Sequence, residues 1–348
     1  MLSDEHPFFS DPHIGDPMSW IESHEDPMLH AEYIEDGRIK KIRERMQLLF
    51  GVFFLLLIVT FSSSVSNNIS HLSGQAAVIE TNIIKPTINP LPTLPPPTLS
   101  AHGYLVKFIG YDIPLLRQRE EKMLAPASLT KILTAAIAKE ELPSDAVITI
   151  SKTARTAGGK MSTVPVGTSF RRDDALEILL VESDNDFAYA VAEAVEKLKT
   201  GKDAEPGFPE FMNLMNVKAA AIGMKNSNFA NPAGLDQDEH LTTATDLGTL
   251  VEYIWEQHPE IWEMTKNSSA KVNSLSGQAY PIKTTDELLK EFPALKGGKT
   301  GYTTNAKGAL ILLYPVHPSY TAVVVLLGSE DRFGDGRKVI EWLQEAFP

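Results

Sequence analysis

Apolar residues follow two patterns along this chain, and the first pattern is an almost unbroken run. Residues 48–61 read LLFGVFFLLLIVTF and carry no charge. With its flanking residues the stretch 46–65 has about 20 residues, the length that a membrane-spanning helix needs. A core helix is apolar on one face, whereas this run is apolar all round. The pattern therefore predicts a transmembrane helix over residues 46–65.

The second pattern is periodic and begins after residue 100. Residues 128–141 read SLTKILTAAIAKEE and place their large apolar side chains on one face of a helix. We expect strands at 103–109, 113–116, 309–314 and 321–327, and helices at 128–141, 173–181, 186–199, 211–222, 245–257 and 337–347. Strands at both ends with helices between them predict an α/β domain over residues 101–348 whose first and last strands meet.

The charges that precede the apolar run predict the orientation of the helix across the membrane. Residues 1–37 contain ten aspartates and glutamates and no lysine or arginine, whereas residues 38–45 contain five lysines and arginines. Basic residues mark the cytoplasmic side of a membrane helix. The sequence therefore predicts a cytoplasmic N-terminal region over 1–45, with an acidic tail and a basic juxtamembrane cluster. A catalytic domain outside the cell membrane would follow the single span. A signal peptide cleaved after the serine-rich segment is the alternative.

Between the apolar run and the domain lies a proline-rich stretch. Residues 66–100 begin with polar residues and end in KPTINPLPTLPPPTL. Proline at this density favours extended conformations and a semi-rigid spacer. We interpret residues 66–100 as a linker that holds the domain away from the membrane.

Overall composition narrows the function classes. The formal net charge of −13 argues against a nucleic-acid partner, which would require a basic face. The chain has no cysteine, which excludes disulfides, thiolate metal sites and a cysteine nucleophile.

Three short motifs lie in one order inside the predicted domain. Ser128-Leu129-Thr130-Lys131 comes first, Ser183-Asp184-Asn185 follows 55 residues later, and Lys299-Thr300-Gly301 follows 116 residues after that. Together they contain a hydroxyl nucleophile, an amine base, a proton relay and a cationic strand edge. This set predicts a serine acyltransferase.

The first motif has a physical basis in helix geometry. Residues three apart share a helix face, so Lys131 lies beside Ser128. Burial and a nearby cation both lower the pKa of a lysine, which would let Lys131 accept the proton of the serine hydroxyl. The backbone N–H of Ser128, at a helix N-terminus, would stabilise a developing oxyanion together with the N–H of Tyr302.

The third motif is followed by an apolar strand and flanked by glycines. Glycine at a strand edge allows a ligand backbone to approach closely. Lys299 would provide positive charge for a substrate carboxylate and would help to lower the pKa of Lys131. Thr300 would donate a hydrogen bond from its hydroxyl, and Gly301 would leave room for the ligand backbone.

Two of the motifs occur a second time. Ser268-Ser269-Ala270-Lys271 lies in a polar stretch without a helical period, and it follows the Ser-Asp-Asn motif. Lys199-Thr200-Gly201 ends a predicted helix, where a lysine and a glycine are expected for structural reasons. We interpret both repeats as structural.

Longer segments around the motifs resemble the D-alanyl-D-alanine carboxypeptidases, the low-molecular-weight penicillin-binding proteins. PASLTKILTA contains Ser128, LLVESDNDFAYAVAE contains Ser183, and MNVKAAAIGMKNSNFANPAGLD and HLTTATDLGTLV lie between the second and third motifs. The resemblance covers roughly residues 101–348. It implies a β-lactamase/DD-peptidase-like α/β (α+β) fold with an antiparallel sheet of about five strands flanked by helices, plus a helical subdomain.

The resemblance also implies a function and a set of roles. Ser128 would form the acyl-enzyme with Lys131 as the base, and Ser183 would relay protons. The implied substrate-binding residues are Asn185, Lys299, Thr300, Gly301, Tyr302 and Thr303. The implied substrates are peptidoglycan stem peptides ending in D-Ala-D-Ala, with β-lactam antibiotics as covalent inhibitors and no metal or cofactor.

The sequence departs from its apparent family in two places. Residues 305–309 read NAKGA, where many relatives have a stretch resembling Ala-Gly-x-Cys, and this leaves the detail of the substrate edge open. We also expect no all-β C-terminal domain, so that the N-terminal helix would take over membrane anchoring.

Three alternatives stay open at this point. A DD-endopeptidase that cuts peptidoglycan cross-links uses the same chemistry. A class A β-lactamase also needs a glutamate, usually within Glu-x-x-Leu-Asn, and no such string occurs in the chain. A non-catalytic wall-binding protein would retain the fold without the activity, although all the motif residues are present here.

Overall fold

The structure, a computed structural model, describes residues 94–348 except 157, 160, 161, 205 and 206. The predicted cytoplasmic region, the predicted transmembrane helix and residues 66–93 of the predicted linker lie outside the described residues. Within the described ranges, no helix combines the length and the apolar character needed to cross a bilayer.

Nine strands and nine helices are defined within the described residues. The strands are β1 Gly103–Phe108, β2 Pro114–Gln118, β3 Val147–Thr149, β4 Ser169–Arg171, β5 Ser269–Asn273, β6 Ala279–Lys283, β7 Gly298–Thr303, β8 Lys307–His317 and β9 Tyr320–Ser329. The helices are α1 Thr130–Glu141, α2 Lys152–Arg155, α3 Arg172–Val181, α4 Asn185–Thr200, α5 Pro209–Ala221, α6 Ala244–Gln257, α7 Pro259–Thr265, α8 Leu288–Glu291 and α9 Arg332–Ala346.

The central element is a five-stranded antiparallel sheet in the order β2-β1-β9-β8-β7. The first strand pairs with the last, as the sequence predicts, because β1 runs antiparallel to β9 from Gly103 opposite Leu327 to Phe108 opposite Ala322. β7, which carries the third motif, lies at one end of the sheet. The predicted α/β architecture with about five strands is confirmed.

Both faces of the sheet are buried, and alternate residues of one strand enter different cores. Val323, Val325 and Leu327 pack into the larger core with the helices between β2 and β7. Val324 and Leu326 pack into a second core with α9. A strand that is buried on both faces has a continuous run of apolar residues. The sequence YTAVVVLLGS of β9 has such a run, and this makes the strand predictable.

The last helix begins five residues before its predicted start. The Asp331 side chain accepts a hydrogen bond from the Gly334 N–H and so caps the N-terminus of α9. The first turns contain Gly334 and Gly336, which weaken the helical pattern in the sequence. Gly336 is tightly packed, since a Cβ there would lie 2.7 Å from Cδ2 of Leu310 and 2.8 Å from Cδ1 of Leu288.

One buried carboxylate fastens the start of the domain to α9. Asp335 is 1% exposed and accepts hydrogen bonds from the backbone N–H groups of Ser100 and Ala101 at 2.9 Å and 3.0 Å. It also accepts hydrogen bonds from the hydroxyls of Ser100 at 2.8 Å and Ser329 at 2.6 Å. A charged acceptor with four buried or half-buried donors fixes the point at which the chain enters the fold.

Candidate active site

Ser128 lies in a short 3₁₀ turn, Ala127–Leu129, directly before α1. The predicted α-helix that begins at Ser128 is therefore corrected to one that begins at Thr130. The physical reason is that the Leu129 N–H donates to the Pro126 carbonyl three residues earlier, at 3.3 Å, which makes this turn 3₁₀ and not α-helical. Within the turn, Ala127 has a left-handed φ of 48°. Such a conformation costs an alanine on the order of 1–3 kcal/mol and persists only where its surroundings enforce it.

Three contacts enforce the turn. The Thr130 hydroxyl donates to the Ala127 carbonyl at 2.9 Å and lies 2.8 Å from Nε2 of His240. His240 Nδ1 accepts the Ala230 N–H at 3.0 Å, so Nε2 carries the proton and donates to Thr130. Burial lowers the pKa of His240 to about 4, which keeps the ring neutral in this role. A Cβ at Gly234 would lie 1.8 Å from the Ala127 carbonyl oxygen, so the loop that contains Gly234 packs directly against the turn.

Lys131 lies directly behind the serine and is fully buried. Its Nζ is 2.8 Å from Ser128 Oγ, 2.7 Å from Asn185 Oδ1 and 2.7 Å from the Ala233 carbonyl oxygen. The predicted contact between Ser128 and Lys131 is present. The amine thus lies between the first motif, the second motif and the loop around Ala233. Its contacts with Asn185 and Ala233 hold Nζ within hydrogen-bond distance of Ser128 Oγ.

Ser183 and Lys299 form a second serine–lysine pair across the site. Lys299 is 2% exposed, and its Nζ donates to Ser183 Oγ at 2.7 Å and to the Thr300 carbonyl at 2.9 Å. Ser183 has a φ of 58°, a left-handed conformation that is strained in a serine. Strained backbone thus occurs at Ser183 itself and at the residue before Ser128.

The second motif is held by the start of α4. Asp184 caps this helix by accepting the Phe187 N–H, and Asn185 is its first residue. Asn185 donates from Nδ2 to the Gly158 carbonyl at 2.9 Å, which leaves its oxygen for Lys131. Burial raises the pKa of the Asp184 carboxyl to about 6.

β7 passes Ser128 at the position of its motif glycine, Gly301. A Cβ at Gly301 would lie 2.9 Å from the Ser128 backbone nitrogen and 2.9 Å from the Ala127 Cβ. Glycine is therefore required here by close backbone approach, as the sequence predicts. The backbone N–H groups of Ser128 and Tyr302 belong to the two segments that meet at this point.

The remaining predicted residues line a groove of about 460 Å³. The Thr300 hydroxyl contacts the Thr285 hydroxyl at 2.6 Å, and Thr303 Oγ1 donates to Asp236 at 2.5 Å. The Tyr302 side chain is 60% exposed. The groove is lined by Ser128, Gly159, Glu182, Ser183, Asn185, Gly234, Leu235, Asp236, Thr285, Thr300, Gly301, Tyr302, Thr303, Thr304 and Arg332. All nine predicted site residues therefore either line this groove or, like Lys131 and Lys299, lie buried beneath its serines.

Neither repeated motif is part of the site. Ser269 and Lys271 belong to β5, and Ser268 and Lys271 are exposed. Lys199 and Thr200 end α4, and Gly201 is its C-cap with a φ of 68°. Both structural interpretations are confirmed.

Three residues of the groove with functional side chains were not predicted from the sequence. Arg332, Asp236 and Thr285 line the groove, yet none belongs to the three short motifs. Arg332 is the first residue of α9, and its guanidinium lies 5.7 Å from the ring centroid of Tyr302. Arg332 was not predicted as a site residue because it lies five residues before the predicted start of the last helix. Burial lowers the pKa of Arg332 from its ordinary value, which still leaves an arginine charged.

Comparison with known proteins gives one matching family. The family described as D-alanyl-D-alanine carboxypeptidase matches residues 112–329. The D-alanyl-D-alanine carboxypeptidase DacF of Bacillus subtilis is 30% identical over 202 residues, which cover 56% of this chain and 49% of that protein. The D-alanyl-D-alanine endopeptidase of Pseudomonas aeruginosa is 30% identical over 239 residues, which cover 66% of this chain and 73% of that protein. The aligned part thus spans about half the length of the first relative.

Solved structures share the fold. The DD-transpeptidase of Streptomyces K15 has a TM-score of 0.65 and 22% identity, and the alignment covers 72% of this chain and 99% of that chain. The D-alanyl-D-alanine carboxypeptidase DacD of Francisella tularensis has a TM-score of 0.63 and 24% identity, with 72% of each chain covered.

Proposed function

This chain belongs to the D-alanyl-D-alanine carboxypeptidase family, and from that premise we propose that it removes the terminal D-alanine from peptidoglycan stem peptides. The observation that carries the proposal is the 2.8 Å contact between Ser128 Oγ and the fully buried Nζ of Lys131 at the base of the groove. A serine beside a buried amine is the nucleophile–base pair of covalent acyl transfer.

The first half of the reaction forms an acyl-enzyme. In its neutral form Lys131 Nζ takes the hydroxyl proton as Ser128 Oγ attacks the carbonyl carbon of the penultimate D-alanine. The oxyanion accepts hydrogen bonds from the backbone N–H groups of Ser128 and Tyr302, which a folded backbone holds in place before the reaction begins. The peptide C–N bond then breaks and leaves an ester on Ser128.

The leaving D-alanine needs a proton and a place for its carboxylate. Ser183, whose Oγ accepts a hydrogen bond from Lys299 at 2.7 Å, would pass a proton to the departing amine and take in exchange the proton that Lys131 removed from Ser128, so that Lys131 becomes neutral again. Lys299 and Arg332 supply positive charge for the carboxylate, and Thr300 supplies a hydroxyl. In the second half, the neutral Lys131 amine takes a proton from the water that attacks the ester. As the ester C–O bond breaks, Lys131 returns this proton to Ser128 Oγ, and the shortened peptide leaves.

A second candidate, cleavage of peptidoglycan cross-links, is supported by the endopeptidase from Pseudomonas aeruginosa, which is 30% identical and 73% covered. The same serine and lysine would act, and the two reactions differ in the size of the leaving group. A carboxypeptidase releases a single amino acid, whereas an endopeptidase must also accommodate the rest of a second stem peptide.

Product analysis separates the two candidates. We expect the purified enzyme to release free D-alanine from a stem pentapeptide, as measured by mass spectrometry. Cross-linked muropeptides incubated in parallel should lose at most their terminal D-alanine. Cleavage of the cross-links without release from the pentapeptide would reverse the assignment. No reaction with either substrate would contradict both.

We further propose that residues 46–65 anchor the enzyme in the cell membrane with the catalytic domain outside. The proposal is supported by the apolar run and by the basic cluster that precedes it. Cell fractionation should place the full-length chain in washed membranes. A soluble form that begins near residue 65 would instead indicate a cleaved signal.

A further inference from the structure

Asn231 is a buried asparagine in the loop of residues 231–237, which packs against the 3₁₀ turn before α1. Its side chain is 5% exposed. Oδ1 accepts hydrogen bonds from three successive backbone N–H groups, those of Ala233 at 3.2 Å, Gly234 at 2.7 Å and Leu235 at 2.9 Å. Nδ2 donates to the Leu235 carbonyl at 2.9 Å and to Gln237 Oε1 at 2.8 Å. All of these partners belong to the same loop, so the side chain of Asn231 fixes the shape of the loop.

The 231–237 loop supplies an oxygen that holds the amine of Lys131. The Ala233 carbonyl lies 2.7 Å from Lys131 Nζ. The N–H of Ala233 is one of the groups that Asn231 binds, and so are the N–H groups of the two residues that follow. Thr134 on α1 also holds the loop, since its buried hydroxyl donates to the Pro232 carbonyl at 2.6 Å. The carbonyl that meets the amine therefore belongs to a segment that Asn231 and Thr134 both hold.

The direction of the amine matters as much as its distance from the serine. A lysine ammonium has three N–H bonds, and the neutral amine has two N–H bonds and a lone pair. The Ala233 carbonyl and Asn185 Oδ1, both 2.7 Å from Nζ, can accept hydrogen bonds but cannot donate them. When the neutral amine directs its N–H bonds at these two oxygens, its lone pair can take the proton of Ser128 Oγ, which is 2.8 Å away.

We propose that Asn231 is a positioning residue that holds the Ala233 carbonyl against Lys131 and thereby directs the lone pair of the base towards Ser128. This inference rests on the proposed function, in which the neutral amine of Lys131 takes the proton of the serine hydroxyl. Asn231 acts on the base through the loop carbonyl and has no chemical step of its own.

An asparagine provides both kinds of contact that the loop requires. Its oxygen accepts the backbone N–H groups, and its NH₂ group donates to the Leu235 carbonyl. An ionised aspartate could accept but not donate, and it would bring a charge into a buried position. Alanine provides neither contact. Asn231→Ala therefore releases the loop and leaves the side chains of Lys131 and Asn185 unchanged.

Asn231→Ala is expected to lower the rate constant of penicillin acylation by about 10- to 10²-fold, the cost of displacing a reacting group by about 1 Å. The dissociation constant of the non-covalent penicillin complex should change much less, because Lys299 and Thr300 on β7 would still hold the carboxylate of the drug. The dependence of the labelling rate on drug concentration, measured by stopped flow on folded protein, gives both constants. Thr134→Val removes the hydroxyl that holds the Pro232 carbonyl and should lower the same rate constant, so it tests the proposal even if Asn231→Ala does not fold.

Asp246 on α6 offers a matched control, because it also holds a neighbouring loop from a buried position. It is 3% exposed and accepts hydrogen bonds from the N–H groups of Lys225 and Asn226 and the hydroxyl of Ser227. These four residues are not among those that line the groove. Asp246→Ala should lower the melting temperature, as Asn231→Ala does, and leave both constants of the folded protein unchanged.

Three results would overturn the proposal. They are a wild-type rate constant in folded Asn231→Ala or in Thr134→Val, a loss confined to the dissociation constant, and an equal loss of rate in Asp246→Ala. Penicillin acylation tests the proton transfer from Ser128 without the peptide substrate. A wild-type enzyme that is acylated by penicillin but releases no D-alanine from a pentapeptide would instead refute the proposed function.

Discussion

Ser128→Ala is expected to abolish covalent labelling by a fluorescent penicillin and to eliminate D-alanine release. In the proposed mechanism Oγ is the atom that forms the ester, and alanine has no replacement for it. Ser128 is half-buried, and its hydroxyl accepts a hydrogen bond from Lys131 at 2.8 Å. The fold should survive the loss of this one contact, with activity reduced by about 10³-fold or more. Intact-mass spectrometry after incubation with the drug measures the result.

The chain contains a matched control for this variant. Ser268 lies three residues before Lys271, which is the same spacing, but it is exposed and outside the groove. Ser268→Ala should label at the wild-type rate. Persistent labelling of Ser128→Ala, with the adduct mapped to another serine, would refute Ser128 as the nucleophile.

Lys131→Met is expected to slow acylation by about 10²- to 10⁴-fold, the usual contribution of a general base. The variant also leaves Asn185 Oδ1 and the Ala233 carbonyl without their buried donor, at a cost to stability of about 1–3 kcal/mol for each. Acylation rates must therefore be measured on protein shown to be folded by circular dichroism at the assay temperature.

A second substitution separates basicity from charge. Lys131→Arg keeps a positive charge and hydrogen-bond donors, yet a guanidinium does not give up its proton in a protein. If Lys131 acts as the base, this variant should be as slow as Lys131→Met. Acylation within tenfold of the wild-type rate would show that only charge is needed. Lys271→Met, in the repeated motif on β5, should have no effect.

The sequence predicts the strands and helices that carry strong periodicity. The apolar run at 321–327 and the amphipathic segment at 128–141 are both found close to their expected bounds. The short hairpin of β5 and β6 was not predicted. In SAKVN and AYPIK apolar and polar residues alternate only weakly, because each strand buries only part of one face. Short elements of this kind depend on their tertiary neighbours.

For the site, the motifs predict which residues meet, and the structure adds how they are held. The contact between Ser128 and Lys131 follows from helical spacing, whereas the strained Ala127 does not, because it is imposed by contacts with a distant loop. Arg332 and His240 also escape prediction. Each reaches the site through tertiary packing, and a lone arginine or histidine in a sequence carries no spacing that would reveal it.

The position of β7 at the end of the sheet has a consequence for self-association. Among the described residues, β7 has β8 as a strand neighbour on one side and no strand on the other, which makes it an edge of the sheet. Unpaired edges invite strands from other chains, so they promote aggregation unless they are short or covered. β7 has six residues and includes two glycines, which makes it a poor template for such pairing. A peptide lying along this edge would occupy the same backbone groups, so a ligand in the groove should remove the limited capacity for strand pairing that this short edge retains.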